Sequence, residues 1–535
     1  MVLSHAASAL LALQDFELAI SAANSLIGWQ PQPAADIVLT ALLVKAHSHF
    51  ELAQYPAAEE TYLLSLARMP EDDPRRNATA DLLAATVYRR AEQAVAQEDY
   101  LQAADQFARV MAVAPESSIS VNAHFDAASN YQRAGDLVEA NTLFIAFRQR
   151  HPEHALSVSI APTLVANYEQ LELWQEAAAE LDLIARSDAN PETQRQALYL
   201  AAQYYDRAEV PTLVLARYMS YANTWQEPVA ERLEAMNRVA ELYRANGKPK
   251  EQQTWLEAII VTDAEWAEAT DRSRYLAAQA ASILAQSHYD AYVAIRLTYP
   301  LKQSLRAKKD AMQRTLAAYQ KTADYGIAQF STLASYRMAQ VYSQLSADLL
   351  ASQRPDNIDA LALEQYELML EEQAFPFEEK AIAIHETNAR RSRNGLYDEW
   401  VRQSFDALAL MLPARYGKTE TGQGQAMDTE QSWLAQAFAE EAVQLEAYNQ
   451  HGIFLRQQGR FAEAEQAYLS ALAISAAYPD SHRNIGVLYD LYLGEPEQAL
   501  HHYRRYQQLT ATDSRQVAGW IADLERQLVL LVQGS

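Results

Sequence analysis

An aromatic residue, an alanine three positions later and often a proline about a dozen beyond that recur along this chain. They stand at Phe16, Ala19 and Pro31, at Tyr55, Ala58 and Pro70, and at Tyr100, Ala103 and Pro115. Gly135, Leu137, Ala140, Phe144 and Pro152 keep the frame, and Gly452, Leu455, Gly459, Phe461, Ala464 and Tyr468 restore it near the other end. Such a repeat constrains the fold more than any isolated motif. One supersecondary unit cannot bury its own apolar face, so it must stack on its neighbours. The alanines Ala19, Ala58, Ala103, Ala140 and Ala177 lie 37 to 45 residues apart, enough for two helices and a turn. Proline closes the second helix because it cannot continue the hydrogen-bond ladder.

The frame is similar to the tetratricopeptide repeat, whose period is about 34 residues. In that repeat small side chains let two helices approach and aromatics fill the gap beside them. The resemblance implies an all-α fold, a right-handed α-solenoid of helical hairpins, and a role in binding rather than catalysis. Composition agrees. The chain has 535 residues, half of them hydrophobic, with only 14 Gly and 18 Pro, which suits continuous helix.

Charge and cysteine content narrow the partners. A net charge of −25 repels phosphate backbones and anionic lipid, so nucleic acid is not expected. No run of eighteen apolar residues forms a membrane span. The absence of cysteine excludes disulfides, cysteine-ligated zinc and thiol catalysis, and it favours an oxidising compartment such as a periplasm. The first residues, Met1 to His5, lack the basic segment of a signal peptide. Because the first frame starts at about Met1 with no capping segment, further repeats, and a signal or anchor, are expected upstream.

Five segments are expected. Residues 1–190 form an N-terminal repeat array, and 191–296 form degenerate hairpins in which Ala202, Tyr205, Ala240, Tyr243 and Gly247 still mark helix pairs. Residues 297–416 form a long-helix module, since Lys302 to Tyr325 and Tyr336 to Arg354 run without a proline, and without glycine. Residues 417–432, rich in Gly, Thr and Gln, read as a linker or exposed loop. Residues 433–535 hold two repeats, with one residue inserted around Gly494. The stripe Val517, Trp520, Ile521, Leu524 and Leu528 reads as a capping helix.

No constellation points to chemistry. There is no phosphate-binding loop, no Gly-x-Ser-x-Gly and no His-Glu-x-x-His. His47 with His49, and His501 with His502, are spaced so that their side chains diverge on a helix, so packing is expected of them and no metal. No catalytic residue or cofactor is expected. An enzyme carrying a helical-repeat domain is the remote alternative. Partner binding has two candidate surfaces. The groove-lining positions of the first helices supply Phe50, Tyr88, Phe125, Asn449, Ile453 and Arg456, which suit an extended peptide or a helix. The groove lacks the Lys and Asn set that clamps a C-terminal carboxylate in chaperone-binding members, so a chaperone adaptor is not expected. Lys302, Arg306 and Lys309 share one helical face, a candidate dock for an acidic partner. The bland reading is that this face is solvated or pairs with the acidic run from Glu364 to Glu379.

A second resemblance rests on longer stretches. Tyr299-Pro-Leu-Lys-Gln-Ser-Leu305, Thr322-Ala-Asp-Tyr-Gly326, Tyr397-Asp-Glu-Trp-Val401, Leu412-Pro-Ala-Arg-Tyr416 and the run from Asn484 to Gly494 resemble the large envelope tetratricopeptide proteins of proteobacteria. That type accompanies gliding-motility machinery and clusters with TolQ- or ExbB-like motors. It covers residues 297–416 and 445–525, and it implies a noncatalytic scaffold binding other envelope proteins. Localisation would be periplasmic or envelope-associated, with a cytoplasmic adaptor as the alternative.

Overall fold

The computed structural model describes residues 2–356, 358–422, 441–510 and 515–534, and the side chains of these except 441–442 and 530–534. It is all-α and falls into two compact units, Met1–Trp225 and Gln226–Ser535.

The first unit is a solenoid of hairpins: α1 (Val2–Ala12) with α2 (Phe16–Ile27), α3 (Ala35–Glu51) with α4 (Tyr55–Arg68), α5 (Arg76–Ala96) with α6 (Tyr100–Val113), α7 (Ser118–Ala134) with α8 (Leu137–Arg150), α9 (Ile160–Gln170) with α10 (Trp174–Ser187), and α11 (Pro191–Arg207) with α12 (Pro211–Thr224). Each helix packs on the next. The frame alanines explain how closely. Ala19, Ala58, Ala103, Ala140 and Ala177 are all 0% exposed, so a larger side chain at any of them would force the helices apart. The aromatics one turn later, Tyr62, Phe107 and Phe144, fill the space beside them.

The turn inside each hairpin repeats more faithfully than the frame does. A left-handed residue stands two positions before the second helix at Gln14, Ala53, Glu98, Gly135, Glu172, Glu209 and Gly247, and again at Gly459 and Gly494. The amide after it bonds back to a carbonyl five residues earlier, as in Asp99 to Ala94 and Val210 to Tyr205, which satisfies the orphan carbonyls of the first helix. Where aspartate follows, as at Asp15, Asp99 and Asp136, its carboxylate caps the second helix.

The second unit continues with α13 (Val229–Ala245), α14 (Pro249–Glu265) and α15 (Asp271–Val293), then the longer α16 (Leu301–Asp324), α17 (Ala328–Leu350) and α18 (Ala360–Ala389), then α19 (Glu399–Met411) and the short α20 (Pro413–Tyr416). The final hairpins are α21 (Glu441–Gln457) with α22 (Phe461–Ile474), and α23 (Pro479–Val487), extended by a π-helical turn Leu488–Leu493, with α24 (Pro496–Leu509). The closing helix is α25 (Arg515–Gly534), whose Val517, Trp520 and Leu524 are buried against them. The residue inserted near Gly494 is absorbed in that π turn, and the turn bond lengthens accordingly, from Glu495 back to Tyr489.

The division at Trp225 and Gln226 differs from the expected boundaries at 190, 296 and 416. Two reasons are visible. The pair α11 and α12 keeps the same turn, with Ala201 and Ala202 buried in its first helix and Val214 buried where the frame alanine would stand in its second, although its sequence has lost most of the frame. At the other junction, Val401, Phe405 and Leu408 of α19 share one core with Leu455, Phe461 and Tyr492. Tyr397 meets Phe461 at 5.0 Å, and the Ser392 hydroxyl donates to the Tyr492 carbonyl at 2.9 Å. The long-helix module and the last repeats are therefore one folded body.

Candidate functional site

A dense polar constellation lies among the helices of the last two repeats and α25, and what fills it is the chain itself. After α20 the backbone runs non-helically from Gly417 to Gly422. Side chains alternate as in any extended chain: Lys418 is buried, Thr419 exposed, and Glu420 has a side chain only 4% exposed.

Three subsites hold this segment. In the first, Lys418 donates to Asp490, which also takes a bond from Arg415 at 2.6 Å. Asp523 stands 3.9 Å from the Lys418 ammonium and 3.7 Å from Arg415, so two cations face two anions. Tyr503 and Trp520 wall the pocket with their rings. Burial pushes the Lys418 pKa down, and the attraction of Asp490 opposes that shift. The π turn aims Asp490 here, with the residue itself 2% exposed.

In the second subsite Glu420 accepts from Arg456 Nε at 2.9 Å and from the Tyr468 hydroxyl at 2.7 Å. Burial first, then the neighbouring Glu420 charge, raises the Tyr468 pKa well above 10, so this phenol remains a donor. Burial works against the Arg456 charge, but Glu420 more than compensates and its pKa rises.

In the third subsite the backbone of Thr421 is gripped from both sides. Its amide donates to Asn484 Oδ1 at 2.8 Å, while its carbonyl accepts from Asn484 Nδ2 at 2.6 Å and Asn449 Nδ2 at 3.0 Å. The asparagines are themselves aligned, since Asn484 Nδ2 and the Ser481 hydroxyl both donate to Asn449 Oδ1. Both asparagines are 0% exposed. The Thr421 hydroxyl donates to Asp480 at 3.0 Å, and Arg483 donates to the Thr419 carbonyl at 3.0 Å. Binding main chain in this way reads the path of a peptide and not one side chain.

Asn449 and Arg456 thus face the segment. Ile453 packs half-buried against the core between them in sequence. The other groove candidates lie in the first unit, half-buried, each beside a neighbouring ring. Phe50 sits against the Tyr55 ring at 5.7 Å, Phe125 against Phe144 and Phe147 at 5.5 Å, and Tyr88 against Phe107 at 4.9 Å. The Tyr88 hydroxyl also donates to Asp126 at 2.6 Å. On α16, Lys302 and Arg306 are exposed, and Lys309 lies over the Phe377 ring at 5.6 Å. Arg354, outside that face, pairs with Glu367 of the acidic run at 3.6 Å.

One expectation needs revising. Residues 417–422 are not an exposed loop: composition suggested one, but each small polar residue there meets a specific partner. Residues 423–432, the rest of that expected linker, lie outside the described residues. Asn449, a groove candidate from the sequence, acts together with Asn484 on a mid-chain peptide unit. Sequence reasoning missed Arg415, Lys418, Glu420, Asn484 and Asp490. The alternation Lys418-x-Glu420 beside Gly417 was the available signal, together with the inserted residue that forces the π turn. Elsewhere His502 meets His482, Nδ1 to Nδ1, at 2.9 Å as part of helix packing. Among the described residues no three His, Asp or Glu side chains converge as a metal site, and no helix is long and apolar enough to cross a membrane.

A tetratricopeptide repeat profile matches residues 445–478, the hairpin of α21 and α22 that carries Asn449, Arg456 and Tyr468. No curated protein matches the chain. Among solved structures it is similar to a chain in Naa15/Naa10 bound to HypK-THB, at 14% identity over 91% of this chain and 66% of that one, with a TM-score of 0.29. A tetratricopeptide repeat protein from Parabacteroides merdae ATCC 43184 is 13% identical over 54% of this chain and 93% of its own, with a TM-score of 0.20. The P58(IPK) TPR domain is 11% identical over 98% and 97%, also at 0.20. At these TM-scores the likenesses carry no argument, so the repeat rests on the matched hairpin and on the turn geometry above.

Proposed function

We propose that this protein is a noncatalytic interaction scaffold that grips an extended segment of a partner along the inner face of its last two repeats, within a bacterial cell-envelope complex. One observation carries the first part: Asn449 and Asn484, both fully buried, spend their amides on the main chain of Thr421. Buried amides are expensive to leave unpaired, so a face that holds two of them is built around a bound strand. The envelope assignment rests on the resemblance of residues 297–416 and 445–525, and on a chain of this length carrying no cysteine. Crosslinking mass spectrometry on the tagged full-length protein in its native cell tests it. Envelope proteins are the expected partners, and a set dominated by ribosomal or other cytosolic proteins would overturn the assignment.

A further inference from the structure

The stretch from Lys418 to Thr421 is tethered to the repeats by α20, yet it makes the contacts of a ligand. We infer that it is a resident stand-in for the partner, and that the face it covers selects extended segments of the pattern cation, any residue, acid, hydroxyl. This rests on the scaffold reading given above and adds the chemistry of the ligand. Each position follows from a subsite. Asp490 and Asp523 accept a cation between the Tyr503 and Trp520 rings. The next side chain points to solvent, and only its carbonyl and hydroxyl are touched, by Arg483. Arg456 and the Tyr468 hydroxyl require an acceptor with two free oxygens, a carboxylate. Asp480 accepts a hydrogen bond from a hydroxyl, while Asn449 and Asn484 fix the main chain beside it.

Removing the stand-in leaves each of the two charged subsites with another partner. Without Lys418, Asp490 keeps its bond from Arg415 at 2.6 Å. Without Glu420, Arg456 keeps the Tyr492 ring at 5.5 Å. The face can therefore exchange a tethered strand for a foreign one of the same chemistry. A tethered strand competes at a millimolar effective concentration, so the resident segment sets a threshold that weak mimics do not cross.

The test uses full-length protein and a labelled peptide with the sequence of residues 415–422. The variant Lys418→Ser/Glu420→Ser should bind it at least tenfold more tightly than the wild type does, and a peptide with serine at both charged positions should bind neither protein. Equal affinity of wild type and folded variant for the native peptide would overturn the inference. Hydrogen exchange on the wild type needs no variant. Excess peptide should speed exchange of the Thr421 amide at least tenfold, and an unchanged rate at about 5 mM peptide would overturn the inference equally. If cellular partners depend on Asn449 and Asn484 while this peptide fails both assays, the ligand pattern falls and the scaffold reading stands.

Discussion

At the scale of single residues the last repeats are set by what glycine leaves out. A Cβ on Gly452 would come within 2.6 Å of Tyr468 Cδ1, and one on Gly486 within 2.7 Å of Tyr503 Cδ1. Neither ring can retreat: both are 0% exposed, and their hydroxyls are tied to Glu420 and Asp490. Gly452→Ala gains about 1 kcal/mol of helix propensity and loses about 1–3 kcal/mol to overpacking. The Tyr468 hydroxyl must also shift off Glu420, so the net effect should be a loss of about 1–2 kcal/mol. Urea titration followed by circular dichroism measures it, and a midpoint equal to or above the wild type would refute this packing account. Position in sequence was legible here, since Gly452 and Tyr468 both belong to the recurring frame. The Tyr468 contact with Glu420 was not, because it joins residues 48 positions apart through a segment whose composition reads as loop.

At the scale of elements the hairpin turn explains why the sequence faded while the architecture persisted. The turn demands a left-handed residue, and Gln14, Ala53, Glu98, Glu172 and Glu209 adopt that conformation without being glycine. A side chain there costs roughly 1–2 kcal/mol, which the 6→1 bond and the burial of both helices outweigh. Because the turn is imposed by its neighbours, it leaves little mark on the sequence between residues 191 and 225. Ala202 and Tyr205 still mark a helix pair there in the sequence, and the left-handed turn at Glu209 shows why the hairpin persists where the frame has faded. Glu98→Gly should therefore stabilise the first unit by about 0.5–1 kcal/mol, the relief of strain partly offset by the freer unfolded chain. A raised thermal midpoint is the expected reading; a fall of similar size would show that the Glu98 side chain contributes more than its backbone strain costs. The π turn at Leu488–Leu493 is the converse case. One inserted residue in an otherwise regular repeat was visible as a slip of register, while its consequence, Asp490 aimed into the cation subsite, depends on how Lys418 and Arg415 return to it from 72 and 75 residues away.

At the scale of the molecule, the repeats supply a shape, and the segment 417–422 occupies one face of the last two of them. Hairpins were readable from the recurring frame, long helices from the runs Lys302 to Tyr325 and Tyr336 to Arg354 that hold no glycine or proline, and the closing helix from its apolar stripe, because each is a local property of sequence. The joining of α19 to the last repeats was not, since it depends on Tyr397, Phe405 and Tyr492 meeting across about a hundred residues. The same reason hid the site: its cations, anions and amides come from four separate stretches of chain. The central claim is that partners are held by main-chain contacts to Asn449 and Asn484. Affinity capture from native cells, wild type against the full-length Asn449→Ala/Asn484→Ala variant at matched expression and helical content, tests it most directly. A drop of at least tenfold in recovered partner is the predicted result, while undiminished recovery would contradict the claim.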